Sequence, residues 1–201
     1  MKKQNIRVFS LVGIMSGLAF ALYFFEIPFG FLFPAAPFLK FEFSDIPAIL
    51  TGIAAGPTAG VMVQLLKNIL HAMFLMKEPI YSGEIANFAA SVALMLPIVI
   101  LYRYDDKKFK WISGIIGTVL MTVVMMFVNY FITFNLFGLP QGFNYRMGLI
   151  LSTFTPFNLL KGTIITIVYV ILYPKLKPII LRWLQNYQPQ EISEQKLMEK
   201  P

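Results

Sequence analysis

The sequence contains no cysteine and a single histidine. A disulfide framework, an iron–sulfur centre and a thiol nucleophile are therefore excluded, and so is a multi-histidine metal site. Charge is scarce as well. Asp, Glu, Lys and Arg make up 13% of the 201 residues, against about 25% in soluble domains. No Walker A loop is present, so ATP hydrolysis cannot come from this chain. No His-Glu-x-x-His, no nucleophile–base pair and no paired carboxylates within an apolar segment are legible, which argues against an enzyme and leaves the catalytic and metal positions empty.

What is there is hydrophobic: 57% of the residues, with 15% aromatic. That balance predicts an all-α membrane protein with little mass outside the bilayer. Apolar runs predict six transmembrane helices, over 8–25, 42–54, 59–76, 85–102, 111–134 and 147–173, the last with a break at Thr155–Pro156. The basic start of the first run suits a signal peptide too, but no small-x-small cleavage site follows, so it reads as a retained helix. Residues 1–175 read as one six-helix membrane domain, and 176–201 as a polar, partly disordered tail. The net charge of +7 is spread over segment ends and offers no patch for nucleic acid. Six spans put Lys2, Lys3, Arg7, Arg103, Lys107, Lys108, Lys110, Lys175, Lys177, Arg182, Lys196 and Lys200 on one side, and Lys40, Lys77 and Arg146 on the other. The positive-inside rule then places both termini inside.

Between the first two helices, Pro28, Gly30, Pro34 and Pro37 exclude a regular helix from an otherwise apolar stretch. Irregular backbone at membrane depth must line a cavity or be buried in protein. This stretch reads as an extracellular lid, with Phe29, Phe31, Phe33 and Phe38 as its cover. On the third helix Gln64, Lys67, Asn68 and His71 share a face, either as an interhelical hydrogen-bond ladder or as a functional stripe. Gly13, Gly17 and Ala21 recur every four residues on the first helix, a pattern that lets a neighbouring helix come close.

On this topology Lys40, Asn87, Asn129, Asn158 and Lys161 fall toward the outer half. Thr155 reads as an N-cap and Pro156 as a first-turn proline, which puts Asn158 and Lys161 on one face. Lys161 would then lie about 9 Å past the helix start, where snorkelling to the interface competes with a binding role. Asparagines and a lysine supply donors and acceptors that suit the edge of a planar heterocycle, with lid phenylalanines and Tyr81 over its faces.

Four stretches carry a resemblance: Phe-Glu-Phe-Ser-Asp-Ile-Pro-Ala at 41–48, Gly-Pro-Thr-Ala-Gly at 56–60, Glu-Ile-Ala-Asn-Phe at 84–88, and Thr-Pro-Phe-Asn-Leu-Leu-Lys-Gly at 155–162. Over 8–173 the chain resembles the substrate-binding S components of the energy-coupling factor (ECF) vitamin transporters, most similarly the riboflavin-specific type. The resemblance implies riboflavin as transported ligand, with FMN or analogues left open, and no cofactor. It implies partnership with a transmembrane coupling subunit and two cytoplasmic ATPases in the bacterial cytoplasmic membrane. It assigns Asn129, Asn158 and Lys161 to the flavin edge, and Gly13, Gly17 and Ala21 to the coupling-subunit contact. The family shows alanines in that last pattern and often an aspartate at the position of Glu42. The competing readings are a self-sufficient secondary transporter with Lys67, His71 and Lys161 as a proton relay, and an S component for another vitamin.

Overall fold

A computed structural model of the chain describes residues 2–75, 82–104, 110–136, 138–140 and 142–185. Six helical rods are built from them. The first is α1 (Lys2–Phe24), followed by a two-residue antiparallel ribbon of β1 (Ile27–Pro28) and β2 (Lys40–Phe41). Then come α2 (Asp45–Ala55), α3 (Pro57–Phe74) and α4 (Ser82–Tyr104). The fifth rod is α5 (Lys110–Val128), a π-helical turn over Asn129–Thr133, and α6 (Phe134–Leu136). The sixth is α7 (Phe143–Leu149), a second π-helical turn over Ile150–Phe154, and α8 (Thr155–Gln185).

Four of these rods are long and apolar enough to cross a membrane: Ile6–Phe24, Gly83–Tyr102, Lys110–Leu136 and Phe143–Ile180. The expectation of six spans is met at the level of six helices. With 11 residues, α2 is only about 16 Å long, short of the ~30 Å hydrocarbon layer. The molecule is inside-out relative to a soluble domain. Ile115, Phe127 and Ile171 are exposed, whereas Gln64, Lys67 and Asp45 are buried. Lipid as the surrounding solvent makes that arrangement favourable.

Small residues let the rods approach. A methyl group at Gly117 on α5 would overlap the Leu94 carbonyl of α4, and one at Gly162 on α8 would lie 2.6 Å from Thr118 Oγ1. Between α2 and α3 the chain turns at Gly56, whose φ of 112° favours glycine. Gly13 and Gly17 differ from these: a methyl group there would meet nothing within 4 Å, and both lie, like Ala21, on the exposed face of α1.

Two sequence expectations change. The sixth helix does not start at Thr155: the rod arrives from Phe143 through the π-helical turn, and the Thr155 hydroxyl has no hydrogen-bond partner and caps nothing. Pro156 explains the wider turn, because it cannot donate to the carbonyl four residues back and its ring crowds that carbonyl. Nor does the helix end near 175. It runs on to Gln185, with Ile180 in the main core and the Lys177 ammonium 5.8 Å from the centre of the Tyr173 ring. Pro174 and Pro178 sit four apart, so both breaks in the hydrogen-bond ladder fall on one face. The rest of the expected tail, 186–201, lies outside the described residues.

Candidate functional site

A cavity opens between the β1–β2 ribbon and the ends of α4, α5 and α8. It offers about 110 Å³ to the centres of water molecules, several times the roughly 10–15 Å³ that one water needs by the same measure. Lys40, Asn87, Asn129, Asn158, Lys161 and Phe38 all line it, with Tyr23, Glu26, Glu42, Met125, Thr133, Phe154 and Phe157. Residues up to 138 positions apart, Tyr23 to Lys161, therefore share one wall. Tyr81 lies outside the described residues.

The two π-helical turns face this cavity. Asn129 opens the first, and its Oδ1 accepts from Thr133 Oγ1 at 2.9 Å. Arg146 of α7 holds the same turn from behind: Nη1 donates to the Tyr130 carbonyl at 2.9 Å and Nη2 to Asn135 Oδ1 at 3.0 Å. The amide nitrogen of Asn129 is buried with no hydrogen-bond partner. On the facing rod, Asn158 Nδ2 donates to the Phe154 carbonyl at 2.8 Å, at the end of the second π-helical turn. Asn158 thus keeps its side-chain oxygen as the acceptor it can offer the cavity. An uncommitted donor opposite an acceptor suits a polar heterocyclic edge.

Lys161 stands 18 residues into the sixth rod, about 27 Å from its start at 1.5 Å per residue, and is 4% exposed. The ammonium does not snorkel: it is buried in the protein and paired with a carboxylate. Its Nζ donates to Glu42 Oε1 at 2.7 Å and lies 3.7 Å from Asp45 Oδ2. Glu42 Oε1 also accepts from Asn87 Nδ2 at 2.7 Å, and Oε2 accepts from Ser44 N at 2.9 Å and Ser44 Oγ at 2.6 Å. Below this pair, Asp45 Oδ1 accepts from Lys67 Nζ at 2.6 Å, Ser91 Oγ at 2.5 Å and Gln64 Nε2 at 3.2 Å. Two carboxylates, Glu42 and Asp45, are thus buried together here, each paired with a lysine and not with the other. Glu42 follows the β2 strand and Asp45 is the first residue of α2; the short bend between them presents Glu42 to Lys161 of α8 and Asp45 to Lys67 of α3. An ammonium buried in an apolar body needs such a partner, and that need was the signal available in the sequence.

Gln64 and Lys67 of the α3 stripe belong to this network, whereas Asn68 donates to the Gln64 carbonyl of its own helix at 2.8 Å; none of the stripe lines the cavity. His71 Nδ1 is 2.8 Å from Glu84 Oε1 and its Nε2 is 3.4 Å from Glu26 Oε1, while the ring stacks on Tyr23 with centroids 3.9 Å apart. Glu26 Oε2 pairs with Lys40 Nζ at 3.0 Å. The root of the lid is thereby tied to α3, and through His71 to α4. Burial pushes the Glu26 carboxyl up, but the hydrogen bonds from His71 and Lys40 outweigh it and hold the acid below its ordinary value.

The four lid phenylalanines take different places. Phe38 lines the cavity. Phe29 and Phe33 stand edge-on to the wall residue Phe157, at 6.2 and 5.8 Å, and so form a second layer. Phe31 is 74% exposed. The lid is folded on itself by hydrogen bonds from Phe29 N to the Leu39 carbonyl and from Ala36 N to the Phe33 carbonyl.

Residues 9–173 match the family model of the ECF transporter substrate-specific component. The riboflavin transporter RibU of Staphylococcus aureus (strain TCH60) is 36% identical over 185 residues, covering 90% of this chain and 95% of that protein. The riboflavin transporter FmnP of Bacillus subtilis (strain 168) is 30% identical over 199 residues, covering 94% of this chain and 100% of that protein. A solved S component of a bacterial ECF transporter superposes with a TM-score of 0.73 at 34% identity, covering 88% of this chain and 98% of that one.

Proposed function

The chain belongs to the substrate-specific components of ECF transporters, and on that premise we propose that it captures riboflavin in the cavity between the lid and helices α4, α5 and α8. The observation that carries the site is the buried amide nitrogen of Asn129, which has no protein partner. A buried donor left unpaired costs roughly 1–3 kcal/mol, and a ring carbonyl or ring nitrogen of the flavin recovers that cost. Asn158 accepts from the ring imide N–H. Lys161, held by Glu42, donates to the same edge. Phe38 and Phe157 cover the ring, and Lys40 stands with Glu26 beside it. The polar chain of the vitamin points to the open mouth.

The lid side is extracellular in this reading, and both termini lie in the cytoplasm. The exposed stripe of Gly13, Gly17 and Ala21 is the contact for the coupling subunit. Two ATPases drive that assembly, since no ATP-binding loop occurs in this sequence. The multi-pass protein resides in the cytoplasmic membrane of a bacterium. Lys67 and His71 do not line the cavity themselves and are held by carboxylates, Lys67 by Asp45 and His71 by Glu84 and Glu26, which supports a structural part for them over a proton relay.

The test is the absorbance spectrum of the purified protein, followed by fluorescence titration with riboflavin in detergent. Stoichiometric quenching of flavin emission is expected. A protein that neither co-purifies with flavin nor quenches it overturns this function.

A further inference from the structure

The four lone-pair directions of the Glu42 carboxylate are all taken, by Lys161 Nζ, Asn87 Nδ2, Ser44 N and Ser44 Oγ. A carboxylate so saturated has nothing left to offer a ligand. It remains a full negative charge, 1% exposed, 2.7 Å from the one ammonium at the inner end of the cavity. The same balance recurs around it. Asp45 neutralises Lys67 beneath, and Glu26 neutralises Lys40 beside the lid. The lining contains two lysines and two glutamates, and its uncommitted buried donor, Asn129 Nδ2, is neutral.

We propose that Glu42 determines the charge selectivity of the site: by cancelling Lys161 it makes the cavity prefer the uncharged oxidised flavin ring to the anionic reduced ring. The inference rests on the riboflavin reading and names the form of the ligand that the site takes. An anion entering a buried site of no net charge loses its hydration and meets no uncompensated cation. A neutral ring loses far less and keeps the same hydrogen bonds. The reduced form arises when the ring gains two electrons and one proton from solvent, leaving N1 unprotonated and negative. Within the cavity, Glu42 is a positioning residue, acting through Lys161 and Asn87.

The midpoint potential of the bound flavin reads this preference directly, because it shifts by about 30 mV for each tenfold difference in affinity between the two forms. The riboflavin complex is titrated anaerobically with dithionite and mediator dyes, at an alkaline pH where free reduced riboflavin is anionic, beside free riboflavin in the same buffer. The bound flavin is expected at least tenfold in favour of the oxidised form, about 30 mV below the free couple. Glu42→Gln uncovers the ammonium and is expected to raise the potential relative to the unaltered protein. Lys161→Met uncovers the carboxylates and is expected to lower it. A bound potential equal to or above the free one overturns the inference, as do shifts of the same sign in both variants. If Glu42→Gln does not fold, the unaltered complex and Lys161→Met decide. Failure of the unaltered protein to bind riboflavin is a separate outcome: it sinks the function above, and this inference with it.

Discussion

Replacing Asn129 with alanine separates the ligand contact from the fold. The amide nitrogen of Asn129 is buried without a partner, so removing it breaks no protein hydrogen bond. Its oxygen does serve Thr133, but that hydroxyl can turn to a carbonyl one turn back, as Thr51 does to Pro47 at 2.7 Å and Thr122 to Thr118 at 2.8 Å. The ligand-free variant is therefore expected to melt close to the unaltered protein. Binding is different, because the ligand acceptor that meets Asn129 loses its donor inside a closed site. The cost of about 1–3 kcal/mol weakens affinity roughly five- to hundredfold. Circular dichroism melts of the ligand-free protein and fluorescence titration of both proteins give the two numbers. A variant that melts markedly lower yet binds riboflavin with unchanged affinity refutes the reasoning, since Asn129 would then hold the π-helical turn and not the ligand.

Three further outcomes rest on the same structure. Gly17→Leu projects from an exposed, empty face and should leave riboflavin affinity unchanged while abolishing uptake in cells that also make the coupling subunit and ATPases; a variant that loses both would place the stripe inside the bundle. Gly117→Ala overlaps the Leu94 carbonyl and should destabilise the protein by about 1–3 kcal/mol, read as a lower midpoint in thermal unfolding; an unchanged melt means that α4 and α5 do not pack this closely. Glu26 is held below its ordinary value of 4.5 by His71 and Lys40, against the upward push of burial. Its contribution is therefore complete above pH 4.5 and is lost as the pH falls through the lower folded value. The stability gap between the unaltered protein and Glu26→Gln should be level just above pH 4.5 and close below it, and a gap that widens in acid contradicts the lid-root ion pair.

The solvent and the element type were legible in the sequence because both are local properties. Long apolar runs with 13% charge leave lipid as the surroundings, and helices follow, since a strand in lipid needs distant partners for its backbone. The spacing of Asn158 and Lys161 set them on one face whatever lay opposite, and both line the cavity. Pro28, Pro34 and Pro37 likewise ruled out a helix without saying where the loop would rest. Only the tertiary structure decided what Lys161 meets. Its carboxylate partner is 119 positions away, and charge alone does not say which lysine takes which acid. The same holds for the second π-helical turn: Pro156 signalled a fault in the helix, but that the rod is widened over Ile150–Phe154 and runs on unbroken was seen only in the structure. It holds for the lid too, where four phenylalanines looked equivalent and one lines the cavity. Periodicity reports the face a residue occupies. What stands opposite that face is decided by how the helices pack.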